Sequence, residues 1–203
     1  MPRGKRDSVV RIYLIAAIAQ LPAARTALAA LPRGAAAIQL RDKTATARAL
    51  LEAAVSLVAF ARPLDAPVLI NDRADLALAT GAGGVHLPAQ GLSPGDARAL
   101  LGPQALIGVS CHSVEELARA GGADFCVFGP VFETPGKTAQ GLAALRRAAR
   151  STALPVLALG GVDAGNAAAC MEAGARGVAC IRGVLAARDP AAAAIALWQA
   201  VSA

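Results

Sequence analysis

The chain has 203 residues, 20 basic against 14 acidic side chains for a net charge of +6, 56% apolar residues and only 3% aromatic ones. That length suits one domain with a sizeable core, built mainly from Ala, Val, Leu and Ile, which suit tightly packed helix-on-sheet layers. Few aromatic platforms and scattered basic residues argue against nucleic acid, so the positive balance points to small phosphorylated ligands.

At the N-terminus, Lys5 and Arg6 precede an apolar stretch, and Ala27-Leu28-Ala29 has the form of a signal-peptidase site. Arg11, Pro22, Arg25 and Pro32 interrupt that stretch, against a signal peptide. No uninterrupted apolar run approaches a membrane span. Cys111, Cys126, Cys170 and Cys180 form no CxxC pair, and two histidines are too few to complete a zinc site with them. They read as buried thiols of a reducing compartment. The expectation is a cytoplasmic protein with neither membrane nor nucleic acid as partner; a homo-oligomer stays open.

In chain order, residues 10–15 read as a strand and 21–31 as a helix ended by Pro32-Arg33-Gly34. Residues 36–40 are a second strand, ending in Gln39-Leu-Arg-Asp-Lys43, and 46–61 a long amphipathic helix. Residues 67–70 are a third strand closed by Asn71-Asp72-Arg73, and 75–80 a helix stopped by Gly81. Residues 84–87 form a fourth strand with His86; Ser93 and Pro94 then suit the N-cap and first position of a helix. Residues 106–109 are a fifth strand ending at Ser110-Cys111-His112, and Ser113 with Glu116 make a capping-box pattern for a helix to residue 120. Residues 125–128 are a sixth strand, followed by the loop 129–137, Gly-Pro-Val-Phe-Glu-Thr-Pro-Gly-Lys, and a helix over 142–150. Residues 155–159 are a seventh strand ending in Gly160-Gly161; Asp163 is the expected cap of a helix that stops near Gly174. Residues 177–181 are an eighth strand, then Arg182-Gly183, and 191–201 a last helix.

Three helix-to-strand turns, at 79–87, 120–127 and 173–180, repeat one plan of a helix ended by glycine, a tight turn and a buried strand. Eight strand–helix units without a spare segment predict an α/β fold, a (β/α)₈ TIM barrel forming one domain over 1–203 with its core over about 10–190. The alternative is an open doubly wound sheet, which needs a phosphate fingerprint after the first strand; Ala16 to Gln20 offers none.

In a barrel the residues just after each strand share the rim that carries active sites. Here they are mostly polar or glycine: Gln39, Arg41 and Lys43; Asn71, Asp72 and Arg73; His86; Ser110 and His112; Thr134 and Lys137; Gly160 and Gly161; Arg182 and Gly183. Gln39, Arg41 and Lys43 alternate and would point one way in a strand extension, where an Arg and a Lys together hold a diphosphate; a solvated loop is the alternative. Asp72 suits a Mg²⁺ ligand or, equally, a helix N-cap. The loop 129–137 before a helix suits an anion cradle to which Lys137 adds a full charge. His86 and His112 are acid–base candidates, or hydrogen-bonded rim or core histidines.

Six segments carry a family resemblance: Gln39-Leu-Arg-Asp-Lys43, Leu69-Ile-Asn-Asp-Arg73, Gly84-Val-His-Leu87, Ile107-Gly-Val-Ser-Cys-His-Ser113, the loop 129–137, and Leu159-Gly-Gly-Val162. In this order they resemble the motifs of the thiamine phosphate synthase/TenI family. The resemblance implies a transferase of thiamine biosynthesis that joins hydroxymethylpyrimidine diphosphate to thiazole phosphate. It implies that Gln39, Arg41, Lys43 and Asn71 hold the pyrimidine diphosphate, that Ser110 and Lys137 contact pyrophosphate, and that Thr134, Gly161, Ile181 and Arg182 face the thiazole phosphate. Asp72 is the implied Mg²⁺ ligand, and Gly91 stands where the family's synthases place a second carboxylate. Lys137, Ser110 and His112 are the catalytic candidates. Alternative readings within the family are a TenI-like thiazole tautomerase, in which His112 serves as base, and a non-catalytic regulatory homologue that binds thiazole or thiamine phosphate. Tautomerases of the family place a histidine where Pro130 stands.

Overall fold

The computed structural model describes residues 10–203; Lys5 and Arg6 lie outside the described residues. The chain runs through β1 (Ile12–Ala16), α1 (Leu21–Ala30), β2 (Ala36–Leu40), α2 (Ala47–Ala61), β3 (Val68–Asn71), α3 (Ala74–Thr80), β4 (Gly84–Leu87) and α4 (Pro94–Leu101). It continues through β5 (Leu106–Cys111), α5 (Val114–Ala118), β6 (Phe125–Phe128), α6 (Gly141–Arg150), β7 (Val156–Leu159), α7 (Ala167–Glu172), β8 (Gly177–Cys180), α8 (Arg182–Leu185) and α9 (Pro190–Ser202). All strands are parallel, each pairs with the next, and β8 returns to β1 through Ile12, Tyr13 and Leu14. The expected barrel is what forms. An open sheet is excluded, because the eight strands close on one another.

Alternation along the strands sorts the apolar residues into two sets. Tyr13, Ile15, Ala37, Leu69, Phe125, Val127, Leu157 and Ala179 fill the barrel interior. The residues between them, such as Ile12, Leu14, Ile38, Ile70, Val85 and Val109, pack under the helices. Both faces are buried, so the strands read as continuous apolar runs. The aliphatic core foreseen from composition describes the outer layer well, but the interior departs from it. The chain's one tyrosine, Tyr13, sits at the centre with Phe125 edge-on to it, ring centroids 5.2 Å apart. Among the described residues, no helix is long and apolar enough to cross a membrane. All four cysteines are buried and free.

Local chemistry sets most element starts. Ser93 Oγ accepts from the Asp96 N–H and Thr46 Oγ1 from the Ala49 N–H, so each caps its helix as its position suggests. Four expectations need correction. The first strand starts at Ile12 and runs through Ala16. The box at α5 is half made: Ser113 Oγ accepts from Glu116 N–H, but the Glu116 carboxylate takes the His112 N–H at 2.6 Å, and the helix ends at Ala118. Asp163 does not cap α7; its carboxylate holds the Gly165 N–H in a turn, and Asn166 is the N-cap. The eighth strand ends at Cys180, one residue before its expected end, and Arg182 opens α8 directly. The last helix, α9, packs on α1, α7 and α8 and so closes the outer ring.

Candidate active site

The same alternation that fills the interior places a polar layer above it, at the strand C-termini. Gln39 follows Ala37 and Asn71 follows Leu69 by two residues, so both side chains turn inward. His86 on β4 and Ser110 on β5 join them. Gln39, 1% exposed, and His86, 3%, are the buried polar side chains among the described residues. Each is paired, as burial demands. Gln39 Nε2 donates to Asn71 Oδ1 at 3.0 Å, which leaves the Asn71 NH₂ group to serve as donor in the site. His86 Nε2 lies 3.0 Å from Ser110 Oγ, and His86 Nδ1 lies 3.2 Å from the Tyr13 hydroxyl. Burial, with the positive charge of Arg41 adding to it, pulls His86 down to about 3, so its ring is neutral. Of its two sequence readings, the hydrogen-bonded core histidine is the one observed. Gly108 makes room for it, since a Cβ there would stand 2.7 Å from His86 Nδ1 and 2.5 Å from Phe125 Cζ.

Strand geometry in β2 ends at Leu40, so the alternation expected to align Gln39, Arg41 and Lys43 does not reach Lys43. Arg41 extends the ladder by one bond, its N–H to the Ala16 carbonyl at 2.8 Å. The arrangement is fixed by Asp42, a residue without a role in the sequence reading. Its carboxylate accepts from the Thr44 hydroxyl and from the N–H groups of Thr44, Ala45 and Ile18. Those bonds, the Thr44 side chain first, hold it below the usual carboxylate range. Asp42 is thereby committed to the loop, while Arg41 and Lys43 stay exposed without an ion-pair partner among the described residues.

Asp72 is exposed, in the left-handed region at φ 56°, with its N–H on the His86 carbonyl at 2.9 Å. It is not the N-cap. Arg73 occupies that position without a capping bond and pairs with Asp75 instead. The Asp72 carboxylate has no hydrogen-bond partner among the described residues. A Cβ on Gly91 would stand 3.0 Å from Asp72 Oδ1, so the two positions are neighbours across the β3 and β4 loops. Among the described residues no cluster of three or more His, Cys, Asp or Glu side chains exists to hold a metal.

The other arc of the rim encloses a cavity of about 500 Å³. His112, Thr134, Lys137, Gly161, Ile181 and Arg182 line it, bringing together six of the residues singled out from sequence. The loop 129–137 is its wall. Thr134-Pro135-Gly136-Lys137 closes a turn with the Lys137 N–H on the Thr134 carbonyl at 3.0 Å; Pro at the second place and Gly136 at φ 77° are the marks of type II. The loop is braced on the β7 end by Val131 N–H to Leu159 O, 2.8 Å, and Phe132 N–H to Gly160 O, 2.9 Å. That approach requires glycine: a Cβ on Gly160 would lie 2.5 Å from Pro130 Cα, and one on Gly161 2.7 Å from Phe132 Cβ. The His112 Nδ1–H donates to the Gly129 carbonyl at 2.6 Å, and Nε2 has no hydrogen-bond partner among the described residues. Gln39, Arg41, Lys43, Asn71, Asp72 and Ser110 do not line this cavity; they belong to the arc from β2 to β5. Tyr13, like Asp42, is a site-related residue that sequence reasoning passed over. Its signal was a lone aromatic in phase with Ile15 on an otherwise aliphatic strand.

The model of the thiamine monophosphate synthase family matches residues 12–184. A thiamine-phosphate synthase of Anaeromyxobacter dehalogenans is 44% identical over 206 aligned residues, covering 98% of this chain and 91% of that one. Another, of Albidiferax ferrireducens, is 40% identical over 86% of this chain and 83% of its own length. A solved thiamine phosphate pyrophosphorylase of Pyrococcus furiosus superposes with a TM-score of 0.84 at 34% identity, covering 95% of this chain and 96% of that one. Fold, rim and similarity agree: the chain belongs to the thiamine monophosphate synthase/TenI family.

Proposed function

We propose that this protein is a transferase of thiamine biosynthesis that couples hydroxymethylpyrimidine diphosphate with thiazole phosphate, giving thiamine phosphate and pyrophosphate. The observation that carries the reading is the division of the rim into two compartments. One arc has paired amides, Arg41 and Lys43, suited to a diphosphate; the other is a walled cavity that ends in Gly161, Ile181 and Arg182, suited to a phosphorylated ring.

In this reaction the bond between the pyrimidine methylene carbon and the diphosphate oxygen breaks, and both electrons leave with the diphosphate. The thiazole nitrogen then gives its lone pair to the methylene carbon. Neither bond change needs a proton, so the protein's contribution is charge stabilisation and alignment. Gln39, Asn71, Arg41 and Lys43 hold the diphosphate ester, and Ser110 and Lys137 bond the departing oxygens. Thr134, Gly161, Ile181 and Arg182 hold the thiazole phosphate, with His112 on the wall between the two partners. A neutral, buried His86 fits a reaction without proton transfer.

The Asp72 carboxylate, exposed and uncommitted, suits a Mg²⁺ ion that arrives on the diphosphate, since that ion is commonly held by one or two carboxylates plus phosphates. When bound, the ion supplies positive charge to the leaving group. The tautomerase reading is less well supported, because Pro130 stands at that branch's histidine position and the Gln39–Asn71 arc has no use in isomerising a monophosphate. The test is to supply both substrates with Mg²⁺ and follow thiamine phosphate by chromatography. Formation that depends on both substrates is expected; absence of product from mildly acid to alkaline pH refutes the proposal.

A further inference from the structure

We propose that Tyr13 and His86 are positioning residues that lock the Ser110 hydroxyl as a hydrogen-bond donor into the barrel mouth, towards an anionic oxygen of the ligand. This rests on the reading above that Ser110 faces the diphosphate; the direction of the bonds rests on the interior alone.

Tyr13 is 0% exposed, and among the described residues its hydroxyl has one polar partner, His86 Nδ1 at 3.2 Å. A buried O–H whose hydrogen finds no acceptor forfeits the full cost of its desolvation. The phenol therefore donates, and Nδ1 is the lone-pair nitrogen. With Nδ1 engaged as acceptor, the hydrogen of the ring lies on Nε2. Nε2–H then donates to Ser110 Oγ at 3.0 Å. Ser110 has accepted from the protein side, and its own hydrogen is left for the mouth. The opposite direction, with Ser110 donating to Nε2 and Nδ1–H donating to Tyr13, strands the phenol hydrogen in a sealed apolar interior.

The packing holds this chain in place. The Tyr13 and His86 ring centroids are 5.6 Å apart, and Phe125 meets Tyr13 edge-on at 5.2 Å. The missing side chain at Gly108, which pairs with His86 in the β4–β5 register, leaves the ring its space. The consequence is chemical selectivity at one point of the rim. Ser110 offers a hydrogen, which a phosphate oxygen accepts and an ammonium group does not.

Two measurements test the proposal on the intact protein. Ring ¹⁵N shifts of His86 across neutral pH are expected to show the Nε2–H tautomer; an Nδ1–H tautomer overturns the proposal without any variant. Calorimetric titration with pyrophosphate and Mg²⁺ is then compared in wild type, Tyr13→Phe, Ser110→Ala and the double variant. Ser110→Ala is expected to weaken binding about tenfold and Tyr13→Phe about threefold, as for loss or misdirection of a hydrogen bond to a charged group. In the Ser110→Ala background Tyr13→Phe is expected to change nothing further. An equal loss in both backgrounds makes Tyr13 merely structural and overturns the proposal. If wild type fails to bind pyrophosphate, the assignment of the rim falls, while the tautomer still decides the direction of the relay.

Discussion

From β2 to β4 the rim carries its chemistry in side chains; from β6 to β8 it carries it in backbone. The first arc is an amide pair, two exposed cations and an exposed carboxylate, at or just beyond the C-terminal ends of short, buried strands. The second is a loop laid directly on two glycines, with one lysine, one threonine and one arginine at its edge. The difference teaches where each arc is vulnerable. Removing a side chain from the first takes away a contact and leaves the fold; adding one to the second moves the wall.

The largest effect is therefore expected from the smallest addition, Gly160→Ala. The new methyl meets the Pro130 backbone at 2.5 Å, and φ is 99°. A loss of about 3 kcal/mol or more is expected in urea denaturation, because backbone cannot yield as a side-chain tip does. Gly136→Ala is the control within the same loop. A Cβ there meets nothing within 4 Å, and only its φ of 77° opposes the change, so about 1 kcal/mol is expected. Equal losses at the two glycines would mean that contact between the loop and β7 does not shape this arc.

In the side-chain arc the corresponding test is Arg41→Ala. Its guanidinium is exposed and unpaired among the described residues, so the melting temperature is expected to stay unchanged. Pyrophosphate affinity is expected to drop about tenfold to a hundredfold, as for a lost charge-assisted bond. A variant that melts lower and binds as before would place Arg41 in the scaffold and erase the contrast between the arcs.

His86 sits where the arcs meet and answers to pH. Its folded value of about 3 lies below the ordinary 6.5, so between those values the unfolded chain takes up a proton that the fold refuses. Stability is thus full above about 6.5 and is lost as pH falls from there towards 3, at about 1.4 kcal/mol per pH unit. Between pH 7 and 5 a decline of about 2 kcal/mol is expected in urea titrations, and His86→Gln should show a flatter response from a lower start. A wild-type curve as flat as the variant's would show that the ring is protonated in place.

The barrel was legible because two-sided burial leaves a plain mark: eight short apolar runs, seven of them ended by polar residues or glycine. The rim was legible for the same reason, since whatever follows such a run lands at one end. Direction within the rim was not. Whether Ser110 sits in a strand or a loop, and whether His86 faces in or out, depends on where each strand stops, and β5 outlasts its expected end by two residues. The role of Asp42 was half hidden: Thr44 and Ala45 are its neighbours in sequence, but Ile18 is brought to it only by closure of β1 against β2. Tyr13 was hidden by composition: a chain this poor in aromatics gives no warning that one of them sits at the barrel's centre.

The smallest expected effect concerns the gap in the side-chain arc. Gly91 borders Asp72 so closely that its absent Cβ would stand 3.0 Å from Oδ1. Gly91→Asp therefore adds a carboxylate beside an existing one, and a divalent ion relieves the repulsion between them. Calorimetric titration of the free protein with Mg²⁺ is expected to show affinity raised about tenfold over wild type, with the gain reduced once pyrophosphate supplies oxygens of its own. Pro88 sets the limit, since its Cδ lies 2.8 Å from the new methylene and the loop must shift a little to admit it. Gly91→Asn separates charge from crowding: it makes the same shift and adds a single neutral oxygen. If Asn raises Mg²⁺ affinity as much as Asp, the gain comes from the moved loop. If neither changes it, the two positions do not share an ion, and the carboxylate arc ends at Asp72.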